Sequence, residues 1–212
     1  MSRRSSKTHP PYWQYAKDYL ATKDGKLGEI ITAYPGELLG SEGDPFRTLA
    51  SAIIGQQISV KAADAIWARL EAKLEKIEAE HLLKLSEDEF RAIGLSRQKA
   101  AYMKSLSEFF LANPNVHHEW HNKHDEEVIK DLVSIKGIGR WTAEMFLIFH
   151  MLRADIFPIA DLGVIKAINN VYGKKKPLEK ERIIKIAEKW KPYRTVATLY
   201  LWRSLDPIPV QY

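Results

Sequence analysis

Apolar side chains recur at spacings of three and four along nearly the whole chain. Leu49, Ile53 and Ile54 form one such set and Ile66, Leu70 and Leu74 another, the periodicity of helices with one buried face. The pattern predicts helices over about 11–22, 25–34, 44–56, 59–76, 78–84, 86–93, 96–112, 124–135, 140–152, 161–171, 178–190 and 193–205. Start signals stand at Asp44-Pro45, Ser59, Ser86 with Glu89 three residues on, Ser96 and Asp125. No alternation of apolar and polar residues between turn signals supports a strand. The expected fold class is all-α. Connections are short, as in compact helical proteins. The exception is 113–123, where Asn113-Pro114-Asn115 breaks the pattern and a polar, exposed loop is expected.

Composition narrows the partners. At 212 residues and 45% hydrophobic content, the chain suits one domain or two small lobes. It has no cysteine, so it forms no disulfide and holds no thiolate metal site. The net charge of +5 favours a polyanionic partner modestly. Basic residues cluster at Arg3–Lys7 and Lys174–Lys176, with others such as Lys61, Arg97 and Lys99 scattered. The N-terminal residues carry no apolar run after their basic ones, so no secretory signal is expected. No stretch reaches the length of a membrane span. A soluble intracellular protein is expected, cytoplasmic in a prokaryote and nuclear in a eukaryote.

The most informative segment is LVSIKGIGRWTAE, residues 132–144. It reads as a helix end, a Gly137-Ile138-Gly139 hairpin and a new helix from Arg140. Two glycines allow positive φ and a close ligand, and the N–H groups at the helix start favour a phosphate. Further on, FPIADLGVIKA sets the carboxylate of Asp161 at another helix start. An anion clamp and a nearby carboxylate suit chemistry on nucleic acid. A plain helix–helix turn and a plain N-cap suit the same residues equally well.

A second cluster is HHEWHNKH, with His117, His118, His121 and His124. On a helix these residues could align as zinc ligands; in the expected polar loop they would be solvated.

LVSIKGIGRWTAEMF resembles the helix–hairpin–helix of the DNA glycosylase superfamily, and ADLGVIKA its catalytic-aspartate segment. FRTLASAIIGQQISVKAADAIWARL (Phe46–Leu70) resembles the segment carrying its DNA-wedging residue, and EKWKPYRTVATLYLWRSL (Glu188–Leu205) its C-terminal helix. These ordered motifs span about residues 40 to 206 and are most similar to the 3-methyladenine DNA glycosylase II, or alkylpurine, branch.

The resemblance implies a two-lobed fold with a cleft between the lobes. One lobe is expected over 37–136, the other over 1–36 with 137–212. It makes Asp161 the catalytic acid and gives the base pocket to Trp141, Met145 and Trp202. Met145 departs from the tyrosine that the branch often has. Gln57 takes the wedge position, and Gly137, Ile138, Gly139, Arg140, Thr142 and Lys166 are expected on DNA. The carbonyls of Val133, Ile135 and Ile138 would hold a structural Na+ or K+. Trp141 stands where bifunctional members have a Schiff-base lysine, and Lys136 is out of register. A monofunctional enzyme leaving an abasic site is therefore implied. It would need no cofactor and, lacking cysteine, could hold no iron–sulfur cluster. Its partner would be double-stranded DNA carrying alkylated purines, and it would act as a monomer.

Two other readings stand beside this one. One is a non-catalytic helix–hairpin–helix protein that recognises damaged DNA. The other is a glycosylase for a different base.

Overall fold

The computed structural model describes residues 8–41, 43–173 and 176–206. The basic stretch Arg3–Lys7, and Lys174 and Lys175, lie outside the described residues. Among the described residues there are thirteen α-helices, a single 3₁₀ turn and no strand, so the all-α expectation holds. The chain divides into two compact units, Met1–Glu42 with Leu147–Tyr212, and Gly43–Phe146.

The terminal unit contains α1 (Trp13–Lys23), α2 (Gly25–Ala33), α11 (Leu162–Tyr172), α12 (Lys180–Ala187), the 3₁₀ turn Glu188–Trp190 and α13 (Arg194–Leu205). Its centre is α13, where Thr195 through Leu201 are all buried. A helix buried on every side cannot be amphipathic, and of its two threonines Thr195 finds local partners while the Thr198 hydroxyl has none among the described residues. The Thr195 hydroxyl donates to the Arg153 carbonyl at 2.6 Å and accepts from the Ile156 N–H at 2.9 Å. Against α13 pack α1, α2 and α11, through Leu20, Leu27, Ile31, Val164 and Ile168. The Asp24 carboxylate ties three elements together. It accepts from the Tyr172 hydroxyl at 3.0 Å, the Trp190 indole at 3.1 Å and the Leu27 N–H at 3.3 Å. Burial pushes the Tyr172 phenol pKa up, helped by that carboxylate.

The central unit contains α3 (Pro45–Gly55), α4 (Val60–Lys73), α5 (Ala79–Leu83), α6 (Glu87–Ala92), α7 (Arg97–Ala112), α8 (Val116–Asn122) and α9 (Asp125–Val133). It also holds most of α10 (Arg140–Phe149). Its start signals act as the sequence suggests except at Asp125, which is the first residue of α9 and follows its N-cap, His124. Asp44 caps α3, with Pro45 in the first turn, and Ser59 and Ser96 cap α4 and α7. Buried Phe46, Leu49, Ile53 and Ile54 of α3 meet α7, whose Met103 and Leu106 are also buried.

One expectation needs correction. Residues 113–123 do not form an exposed loop, because 116–122 is helix α8. Only two of its side chains face inward, Val116 and Trp120, four apart and so on one face. Trp120 is fully buried against Phe109, Phe110 and Phe146, and its indole donates to Asp131 at 3.0 Å. The two compact units divide at 42/43 and 146/147. The hairpin belongs with the central unit because Gly137 and Phe146 pack there, on Tyr102 and on Trp120.

Ser86 and Glu89 form a reciprocal capping box at the start of α6, and Lys73 Nζ lies 2.8 Å from the Glu89 carboxylate. Lys73, then the Ser86 backbone and hydroxyl, hold the Glu89 carboxyl down at about 2. A carboxyl with a depressed folded pKa adds stability above its ordinary pKa and loses it as pH falls through the folded one. Urea unfolding midpoints of wild type and Glu89→Gln should therefore differ most above about pH 4.5 and converge as pH falls to about 2. A gap that is constant over that range would show that the cap is not linked to protonation.

Candidate active site

The hairpin follows from local geometry. α9 ends at Val133, the Ile138 N–H bonds back to the Ile135 carbonyl at 3.0 Å, and α10 starts at Arg140. Only the first glycine has positive φ, 95° at Gly137. A Cβ on Gly137 would lie 2.2 Å from Cγ of Tyr102, so the ring of α7 covers this backbone. Gly139 is exposed, and a Cβ there would meet nothing within 4 Å. Its requirement is thus not steric from within the chain.

Residues assigned to DNA divide into two groups. Gly139 is exposed and Gly137 half-buried, while Ile138 and Thr142 are buried. Arg140 is exposed, but its guanidinium is paired with Glu126 and Glu144, which hold its pKa up. The backbone, rather than the Arg140 charge, is what the hairpin offers to an anion. Of the three residues expected to line a base pocket, Trp141 is 40% exposed and Met145 only 5%.

The turn after α3 is also in the central unit. Gln57 has φ of 57°, a left-handed conformation costing a non-glycine residue about 1–2 kcal/mol. Its side chain is exposed. Gln56 is turned inward, donating from Nε2 to the Gly137 carbonyl at 2.9 Å. Lys99 donates from Nζ to the Ile54 and Gln56 carbonyls at 2.6 and 2.7 Å. Sequence reasoning missed these two roles. The spacing of Lys99 and Tyr102 by three on α7 was the available signal.

In the terminal unit, Asp161 caps α11. Its Oδ1 accepts from the Val164 N–H at 2.7 Å and from the Trp202 indole at 2.8 Å. Gly163 makes this possible: a Cβ there would stand 3.0 Å from Asp161 Oδ1 and 3.2 Å from the indole. Trp202 stacks on Phe149, with ring centroids 6.0 Å apart and nearly parallel. The tryptophan expected in the base pocket therefore holds the carboxylate. Asp155 is committed elsewhere, accepting from Arg194 Nε at 2.7 Å, Nη2 at 2.9 Å and backbone N–H at 3.2 Å. Lys166 is exposed on α11.

The histidines make no metal cluster. Among the described residues no group of three or more His, Cys, Asp or Glu side chains could hold a metal ion. His117 and His121 are edge-to-face on α8 at 4.8 Å, and burial, then His121 and His118, push the His117 pKa down. The His124 N–H donates to Glu127 at the start of α9. A cavity of about 410 Å³ lined by Asp44, Phe46, Arg47, Lys76 and Phe110, among others, contains none of the expected site residues. No helix among the described residues is long and apolar enough to cross a membrane.

Residues 50–192 match the family described as HhH-GPD superfamily base excision DNA repair protein, and the chain belongs to that family. The DNA-3-methyladenine glycosylase 1 of Schizosaccharomyces pombe is 33% identical over 183 residues, covering 84% of this chain and 80% of the relative. The DNA-3-methyladenine glycosylase of Saccharomyces cerevisiae is 34% identical, covering 92% of this chain and 80% of the relative. Among solved structures, the DNA-3-methyladenine glycosidase of Bacillus halodurans superposes with a TM-score of 0.82 at 30% identity, covering 95% and 93% of the two chains. The 3-methyladenine DNA glycosylase of Schizosaccharomyces pombe, solved with abasic DNA, gives 0.73 at 28% identity, covering 90% and 96%. The fold is that of the helix–hairpin–helix glycosylases, in the alkylpurine branch.

Because Gly137 combines a positive φ with the Tyr102 ring, Gly137→Ala should lower stability by about 3 kcal/mol in chemical denaturation, backbone strain and overpacking adding together. Gly139→Ala should change it by less than about 1 kcal/mol. Equal effects at the two glycines would contradict this account of the hairpin.

Proposed function

We propose that the chain is a monofunctional DNA glycosylase of base excision repair. It hydrolyses the N-glycosidic bond of alkylated purines of the 3-methyladenine and 7-methylguanine type in double-stranded DNA. The observation that carries this reading is the Asp161 carboxylate, fixed by two N–H donors at the start of α11, in a chain of this family.

The chemistry follows from the leaving group. An alkylated purine carries a positive charge, so the bond from C1′ to the base breaks with its electron pair passing to the base, which departs neutral. The sugar takes on oxocarbenium character, and a fixed negative charge beside it lowers that barrier. Asp161 supplies the charge; the positive end of the α11 dipole favours an anion there. Water, oriented by Asp161, adds to C1′ as the base departs neutral, and its proton is released to solvent.

The target base must first leave the stack. Gln57, exposed at the tip of the turn after α3, fills the space. Trp141 receives the flipped cationic base by stacking and cation–π attraction. The backbone of Gly137, Ile138 and Gly139 grips a phosphate, and Thr142 and Lys166 are further proposed DNA contacts. Arg140, already paired with two carboxylates, acts as structural support. Tryptophan at position 141 and Lys136 before the hairpin support a reaction without a Schiff base. The product is an uncut abasic strand, and the protein acts as a monomer.

The reaction needs no cofactor. The Val133, Ile135 and Ile138 carbonyls are hard oxygen donors of the kind that suit a Na+ or K+ ion. The Ile135 oxygen, which accepts from the Ile138 N–H, would use its second lone pair for such an ion. The ion would stiffen the hairpin backbone beside the phosphate.

Asp161→Asn keeps an oxygen for Val164 and Trp202 and removes the charge. It should lower release of 3-methyladenine from methylated duplex about a hundredfold or more while lesion binding persists. Turnover at the normal rate would remove Asp161 from the mechanism. Strand cleavage without alkali would remove the monofunctional assignment. No release by the unaltered protein, with tight binding to the same DNA, would make it a recognition module. Phosphate contact further requires affinity for duplex DNA to fall about tenfold or more between 50 and 200 mM salt; a flat response would dismiss the clamp.

A further inference from the structure

The turn after α3 and the Gly137 hairpin rest on the same helix. Lys99 and Tyr102 are three residues apart on α7, hence on one face. Lys99 reaches two carbonyls at the end of α3, those of Ile54 and Gln56, which would otherwise turn to water. A cation is favoured at this end of a helix. Partial burial lowers the Lys99 pKa, as for an ammonium drawn out of solvent to reach backbone. Tyr102 lies over Gly137, its hydroxyl accepting from Gln98 Nε2. Gln56 joins the two loops directly through its bond to the Gly137 carbonyl. The left-handed Gln57 follows immediately, and such a conformation persists only where its surroundings over-determine it. Here the surroundings are Lys99 and Gln56.

We propose that Lys99, Gln56 and Tyr102 are positioning residues that brace the Gln57 turn and the hairpin at one fixed separation. This rests on the glycosylase reading above. The two loops would touch different parts of one duplex, Gln57 entering the stack and the hairpin holding a phosphate. A wedge free to shift against the clamp still lets the protein bind DNA. What it loses is the register between gripping the backbone and opening the stack.

The test uses the full chain and a duplex with 2-aminopurine beside 7-methylguanine, whose fluorescence rises as the lesion unstacks. Lys99→Met and Gln56→Met are close in size to the residues replaced. Each is expected to slow the rise about tenfold, with affinity for undamaged duplex within about twofold, and Lys99→Arg should restore most of the rate. Combined with Gln57→Ala, either change should add less than about twofold, because both act through one insertion step. Unslowed unstacking in both single variants, or full additivity with Gln57→Ala, overturns the brace. So does a parallel loss of undamaged-duplex binding, the mark of a disrupted unit. If Lys99→Met does not fold, Gln56→Met decides alone. Release of free base by the unaltered protein is measured alongside. Its absence removes the glycosylase reading and the brace with it; release together with unslowed variants removes only the brace.

Discussion

A carboxylate proposed to act beside a polyanion has to be held against repulsion and kept from wandering, and at Asp161 two hydrogen bonds to one oxygen would meet that need. The Val164 N–H belongs to the first turn of α11, where the aligned peptide dipoles favour negative charge. The Trp202 indole comes from α13, so the carboxylate is tied to the most deeply buried helix of its unit. Gly163 leaves space for the indole beside the carboxylate, and Phe149 holds the indole plane. The rigidity of α13 thus reaches the Asp161 carboxylate through a single N–H donor.

In the proposed function the hairpin would meet an anion by other means. Its one cationic side chain at the helix start, Arg140, is neutralised by Glu126 and Glu144. What remains is backbone, whose partial charges are fixed in direction and cost no side-chain ordering. A backbone clamp is indifferent to base sequence, as an enzyme that must search any stretch of duplex requires. Gly137 serves this from below, since it lets Tyr102 close over the chain while Gly139 stays open to solvent.

Much of this was legible in the sequence, for identifiable reasons. The capping signals at Asp44, Ser59, Ser86 and Ser96 are local, and each appears as read. Asp161 as an N-cap is likewise a short-range property. Helix α8 was not legible, because a two-turn helix shows only two apolar positions, too few for a period. The partners of Gln56, Lys99 and Trp202 are separated by 81, 45 and 41 residues, and no periodicity carries such information. Trp202 illustrates the limit best. Its place in the motif was evident, but the bond from its indole N–H to the Asp161 carboxylate, with Gly163 leaving room beside both, is a long-range contact that no local pattern shows.

The simplicity of the site also has a chemical reason. A neutral purine must be protonated to leave well, and an enzyme for it would need an acid beside the base as well as an anion beside the sugar. A base that is already cationic carries its own activation, so one carboxylate suffices. Asp155, the other acid near α11 in sequence, is fully engaged by Arg194 through its side chain and backbone, as expected of a group with no part in the reaction. Selectivity then falls to the receiving surface. An exposed indole at Trp141 attracts a positively charged ring more strongly than a neutral one. Recognition and activation would therefore draw on the same property of the lesion, its charge.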